Sequence, residues 1–106
     1  MADEIPTFEF RKRPEGNWPI AIDCTGRLPP GVLIASGTIS STDQDGSDAT
    51  SEVIQGPSGT ISANQLQFIL RVRQGSAGSV YDILVFINGD DGSTVIVEKL
   101  RMKVVL

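Results

Sequence analysis

Apolar residues in this chain recur at every second position in short runs, and that period dictates what the chain can become. An extended strand sends successive side chains to opposite faces, so alternation marks a segment with one buried and one wet face. Phe8 and Phe10 alternate with Thr7, Glu9 and Arg11, and Ile20, Ile22 and Cys24 alternate with Ala21 and Asp23. Val32 to Ser40 is rich in β-branched residues, and two weaker strands are expected around Glu52–Ile54 and Thr60–Ser62. Leu66, Phe68, Leu70 and Val72 oppose Gln65, Gln67, Arg71 and Arg73, with Ile69 the lone apolar residue on the polar side. Tyr81, Ile83, Val85 and Ile87 share a face, as do Leu100, Met102, Val104 and Leu106 against Lys99, Arg101 and Lys103.

Turn chemistry separates these runs: Pro14-Glu15-Gly16-Asn17, Leu28-Pro29-Pro30-Gly31, the polar stretch Ser41–Asp48, Gly56-Pro57-Ser58-Gly59 and Gly75-Ser76-Ala77-Gly78. Asn88-Gly89-Asp90-Asp91-Gly92 is a hairpin signal, because Asn-Gly and Asp-Gly supply the positive φ that tight β-turns need. No segment carries a helical stripe. About seven short strands, punctuated roughly every ten residues, predict an all-β, immunoglobulin-like antiparallel β-sandwich. At 106 residues the chain makes one such domain, over 8–106, preceded by an N-terminal arm over 1–7. Trp18 is expected to plug one end of the core, and the Tyr81 hydroxyl to pin a crossing loop.

Charge and residue usage then narrow the function. The chain carries 9 basic and 13 acidic residues, a formal charge of −4. Its two small basic clusters, Arg11-Lys12-Arg13 and Lys99/Arg101/Lys103, lie in strands diluted by carboxylates, which argues against nucleic-acid binding. Met1-Ala2-Asp3-Glu4 lacks the basic start and apolar run of a signal peptide. No apolar run approaches the ~20 residues of a membrane span, so no membrane contact is expected. A lone cysteine, Cys24, cannot form an internal disulfide, which fits folding in a reducing compartment; it falls in an apolar alternation and reads as a small buried hydrophobe. With no histidine, the commonest general base and zinc ligand are both missing. Lys12, Lys99 and Lys103 occupy alternating, solvated positions with nothing to depress their pKa. The expectation is a protein that is not an enzyme and has no cofactor or metal.

Asp43-Gln44-Asp45-Gly46-Ser47-Asp48 is acidic enough to suggest calcium. Counted as an EF-hand loop, however, it puts Ser47 fifth, Asp48 sixth and Ile54 twelfth, so it is expected to be a solvated loop. Gly75-Ser76-Ala77-Gly78 lacks the lysine and following helix of a phosphate cradle. One segment breaks the wet-face rule. Val80–Ile87 is apolar on both faces, which sends Val80, Leu84 and Phe86 to the outside. There they are either covered by a loop of the same chain or form a contact patch for another subunit. Ala2–Pro6 is a second interface candidate, an arm that adds main-chain hydrogen bonds at a partner's sheet edge.

The chain also resembles a group of small immunoglobulin-like proteins encoded among the structural genes of tailed bacteriophages. The likeness lies in Phe10-Arg11-Lys12-Arg13-Pro14-Glu15, in Ile20-Ala21-Ile22-Asp23, and in Leu28–Gly31 with Ile34-Ala35-Ser36. It continues through Gly75–Ile83, Gly92 and Leu100-x-Met102-x-Val104. Val32-Leu33, Arg27 and Pro29-Pro30 depart from the pattern. The resemblance implies a virion component, folded in the host cytoplasm before assembly, that decorates the capsid or belongs to the neck or tail. Its partners would be other virion proteins and copies of itself. A carbohydrate-binding or adhesin-like surface module is the alternative; sugar platforms usually expose aromatics, and here most aromatics fall on inward faces.

Overall fold

The alternating segments become strands that bury one face each against the other. The computed structural model describes residues 7–56 and 59–105. Along the chain come β1 (Thr7–Lys12), β2 (Trp18–Asp23), β3 (Ile34–Thr42), α1 (Thr50–Val53), β4 (Thr60–Ile61), β5 (Gln67–Val72), β6 (Val80–Gly89) and β7 (Val95–Val104). Four strands form one sheet in the order β1-β7-β6-β3, and three form the other in the order β2-β5-β4. This is the immunoglobulin-like sandwich the alternation predicts. One pairing is parallel: β1 runs alongside β7 from Thr7↔Lys99 to Lys12↔Val104. The turn after Lys12 carries the chain across to the other sheet, so β1 borders the last strand and not the second. Thr7, the final residue of the expected arm, already belongs to β1; Ala2 and Pro6 lie outside the described residues.

The core fills from the period-two faces. Phe68, Leu70 and Val72 of β5 meet Ile83, Val85 and Ile87 of β6 and Leu100, Met102 and Val104 of β7, all at most 2% exposed. The Phe68 ring is held between Gly37 and Gly59, where a Cβ on either residue would overlap it. Cys24 is fully buried, and burial pushes its thiol above the usual range, which suits a small hydrophobe. Tyr81 pins the β5–β6 crossing as expected: its hydroxyl accepts from the Ser76 N–H at 2.9 Å and donates to a Glu52 carboxylate oxygen at 3.1 Å.

Several elements differ from the sequence expectation. The weak strand expected at Glu52–Ile54 is one helical turn, α1, followed by a bridge from Ile54 to Val72. The Asp48 carboxylate takes the Thr50 N–H at 3.0 Å and the Thr50 hydroxyl at 2.6 Å, and that hydroxyl accepts from the Ser41 N–H at 2.9 Å. This knot bends the chain and delivers Val53 and Ile54 to the core in succession, where both are buried. Strand β7 begins at Val95, earlier than the alternation of Leu100 onward shows. In the β6–β7 hairpin Asn88-Gly89 finishes the strand, and Gly92 supplies the left-handed residue with φ 78°.

Two side chains overturn their expected settings. Trp18 points to the inner face but is 42% exposed, because β2 is an edge strand and no described strand lies beside it to close over the ring. Lys12 is 1% exposed, not solvated. Its place after Phe8 and Phe10 in the alternation turns it inward, and four main-chain carbonyls receive its ammonium: Arg13 at 2.7 Å, Pro14 at 3.4 Å, Gly16 at 3.0 Å, and Gln74. Burial lowers its pKa, with Glu15 pulling the other way.

Candidate interaction surface

The outer face of the four-stranded sheet is set by register. β6 pairs with β7 through Asp82↔Arg101, Leu84↔Lys99, Phe86↔Val97 and Asn88↔Val95, and with β3 through Phe86↔Thr38 and Leu84↔Ser40. Directly paired residues share a face, so Leu84, Phe86, Val95 and Val97 gather at one corner of the sheet. Phe86 is 37% and Val95 54% exposed; Leu84 and Val97 are half-buried. Hydroxyl side chains of β3 border this corner on one flank, and Lys99 on the other.

An ionic row adjoins it. Asp82 and Arg101 pair at 2.8 Å, Arg101 reaches Glu9 at 3.8 Å, and Lys103 reaches Glu9 at 3.4 Å. The hydrogen bond that Arg101 donates to the Asp82 carboxylate raises the Arg101 pKa further. These exposed pairs add little stability each, but they mark a polar boundary. Of the three expected patch residues, the structure brings Leu84 and Phe86 together and leaves Val80 apart. The Asp82–Arg101 pair lies between, and Val80 sits under the β3–α1 loop, whose Gln44 side chain accepts the Val80 N–H at 3.3 Å. Sequence reasoning missed Val95 and Val97. The run Val95-Ile96-Val97 is apolar on both faces, as in β6, but only the register places it beside Phe86.

The acidic loop spends its oxygens internally. Asp43 accepts the N–H groups of Asp45 at 2.9 Å and Ser47 at 3.0 Å, and Asp48 is held by Thr50. Those bonds from Thr50 hold the Asp48 carboxyl below its ordinary pKa. Among the described residues no three Asp, Glu, Cys or His side chains converge as a metal set, and no helix is long and apolar enough to cross a membrane.

A second exposed region lies on the side of the sandwich where edge strands β1 and β2 face each other. Phe8, 64% exposed, stands at one end of this seam and Trp18 at the other. Near Trp18 a concavity of about 350 Å³ is bounded by Arg11, Lys12, Arg13, Glu15 and Val105. Near Phe8 another of about 240 Å³ is bounded by Ile20, Ala21, Asp23 and Leu100. Alternation assigns Phe8 and Trp18 inward faces correctly. It does not reveal that these faces belong to edge strands and open on solvent. No protein-family model and no curated protein matches this chain.

Proposed function

We propose that the chain is a non-enzymatic structural subunit of a tailed-phage particle, acting through protein contacts made by the outer face of its four-stranded sheet. The observation that carries this reading is the apolar corner of Leu84, Phe86, Val95 and Val97 on a face that an antiparallel sandwich ordinarily keeps wet. The phage assignment draws on the resemblance carried by the segments from Phe10 to Val104. A rigid sandwich presenting one apolar corner with a charged border suits repeated contacts to capsid, neck or tail proteins.

The double substitution Leu84→Ser/Phe86→Ser tests the surface. Both side chains face outward, so the far-UV circular dichroism spectrum is expected to remain that of a β-protein. Incorporation into purified particles, measured by mass spectrometry, is expected to fall to background. A folded double variant that enters particles at the wild-type level removes this face from the reading; an unfolded one makes the residues part of the core.

Exposure of Phe8 and Trp18 supports a second reading, the carbohydrate-binding or adhesin-like module, because aromatic platforms of that kind are what stacking on a sugar requires. A glycan array on the purified domain decides it: binding lost in Trp18→Ala supports this reading, and silence across the array removes it.

A further inference from the structure

We propose that the seam between β1 and β2 is the acceptor for the N-terminal segment Ala2–Pro6 of a neighbouring copy, which lies along the free edge of β2 and links subunits by exchanged arms. This goes beyond the contact face above and does not depend on it.

Three observations converge on the seam. The first is an unsatisfied main-chain edge. The Cys24 N–H bonds the Leu66 C=O at 2.8 Å, one step past the last rung of the β2–β5 ladder. Ladder bonds alternate, so Trp18, Ile20 and Ile22 make the rungs, and Pro19, Ala21 and Asp23 turn their main-chain groups outward. Among the described residues, nothing bonds the N–H or C=O of Ala21 or Asp23, or the C=O of Pro19. All three residues are exposed, so the edge is open to an incoming strand.

The second is the apolar floor beside that edge. Phe8, Ile20 and Trp18 line the seam, and two of them are more exposed than any other aromatic described here. A strand added to β2 would set alternate side chains over this floor, the arrangement by which edge addition gains specificity as well as main-chain bonds.

The third is charge. Arg11, Lys12 and Arg13 meet one carboxylate, Glu15, around the Trp18 concavity: three positive charges less one negative leave two in excess. Arg11 and Arg13 form no ion pair among the described residues. In a chain of net charge −4, an acidic segment that also carries an apolar residue is the complement, and Ala2-Asp3-Glu4-Ile5-Pro6 has that composition. It is five residues long, as is the free edge Pro19–Asp23. Its acids come early and the arginines flank the start of β2, so the arm runs parallel to β2. Its own copy cannot place it there. Residue 7 lies at the Asp23 end of the seam, and a parallel arm arriving at that end would have to reverse direction at once to enter β1. The donor is therefore a neighbour.

Trp18, the only tryptophan, reports on the seam directly. For the full chain, dilution is expected to shift Trp18 emission to longer wavelength while the sedimentation coefficient falls from oligomer to monomer. A chain lacking residues 2–6 is expected to stay monomeric with red-shifted emission throughout. The synthetic peptide Ala2–Pro6 should move its emission back. Arg11→Glu/Arg13→Glu, with its β spectrum checked, should weaken association about tenfold, the weight of two exposed ion pairs. Mixing it with Asp3→Lys/Glu4→Lys should bring association back toward that of the full chain, tighter than either variant shows alone. Leu84→Ser/Phe86→Ser should leave all of this unchanged, which separates a failure of the seam from a failure of the contact face. Association of the truncated chain equal to that of the full chain, or emission that ignores the peptide, overturns the proposal.

Discussion

At the scale of single residues, the Lys12 ammonium makes more hydrogen bonds than any other side chain among the described residues. Its ammonium ties the β1–β2 turn, through Arg13, Pro14 and Gly16, to Gln74 in the β5–β6 crossing, so one group fixes two loops and the end of a strand. Replacing it with Met keeps much of the buried stem and removes every donor, leaving carbonyls that were satisfied by a charge. The cost is expected to be about 2 kcal/mol, a fall in Tm of roughly 10 °C for a domain this size, read by calorimetry. Lys12→Arg is not expected to rescue it, because a planar fork cannot replace an ammonium that donates to several converging carbonyls. Alternation alone put this lysine on the Phe8–Phe10 face, so its burial was legible in the period. Its residue type pointed to solvent, and only the Gln74 carbonyl, far along the chain, resolves the conflict. Trp18 is the converse case. Type and face both suggested core, and its exposure follows from the position of β2 at the edge of its sheet, which no local pattern encodes.

At the scale of elements, strands were legible where one face is wet, and obscure where burial is continuous or local hydrogen bonds compete. β5 follows its alternation closely, whereas β6, apolar on both faces, was marked by its length and by the turn signals at its ends. The start of β7 does not, because Val95-Ile96-Val97 is apolar on both faces. α1 was hidden because its turn depends on Thr50 bonding both Asp48 and Ser41 across a loop. The β6–β7 hairpin shows the same carboxylate chemistry in simpler form. Asp91 accepts the N–H groups of Ser93 at 3.1 Å and Thr94 at 2.9 Å, and the Thr94 hydroxyl donates to it at 2.7 Å. These bonds, that from the Thr94 side chain foremost, lower its pKa. Because the folded carboxylate holds its proton less tightly than the unfolded one, the unfolded chain protonates first as pH falls. The stability is present above the unfolded value of about 3.9 and is lost as pH drops through the folded pKa. Asp91→Asn removes the charge and keeps an acceptor. The gap in stability between wild type and this variant is therefore expected at neutral pH and should close below about pH 4 in parallel urea titrations. A gap that stays constant with pH would assign the effect of the substitution to geometry instead of charge.

At the scale of the whole molecule, the sheet that carries the contact face is closed by the first strand lying parallel to the last. Periodicity could place most of the strands and the inward side of each, but not that β1 would seek β7 across the length of the chain; nothing local distinguishes a strand that pairs with its neighbour from one that waits. That pairing has a kinetic consequence. β6 and β7 are consecutive strands and β3 meets β6 across 40 positions at Thr42↔Asp82, whereas β1–β7 closes the largest loop in the fold, 92 positions at Thr7↔Lys99, and must wait for a formed edge. Sandwiches dominated by such distant contacts fold in milliseconds to seconds, and contacts made after the rate-limiting step affect unfolding alone. Lys12→Met, which loosens the end of β1, is thus expected to leave the folding limb of a urea chevron in place and raise the unfolding rate by roughly thirtyfold, the whole of its ~2 kcal/mol. A folding limb slowed by that factor would instead put the parallel pair in the nucleus. Late docking of β1 also bears on assembly, because the seam faces only exist once β1 has settled. A subunit would then present its acceptor groove only in the finished fold, and arms exchanged between subunits would join folded copies rather than trap incomplete ones.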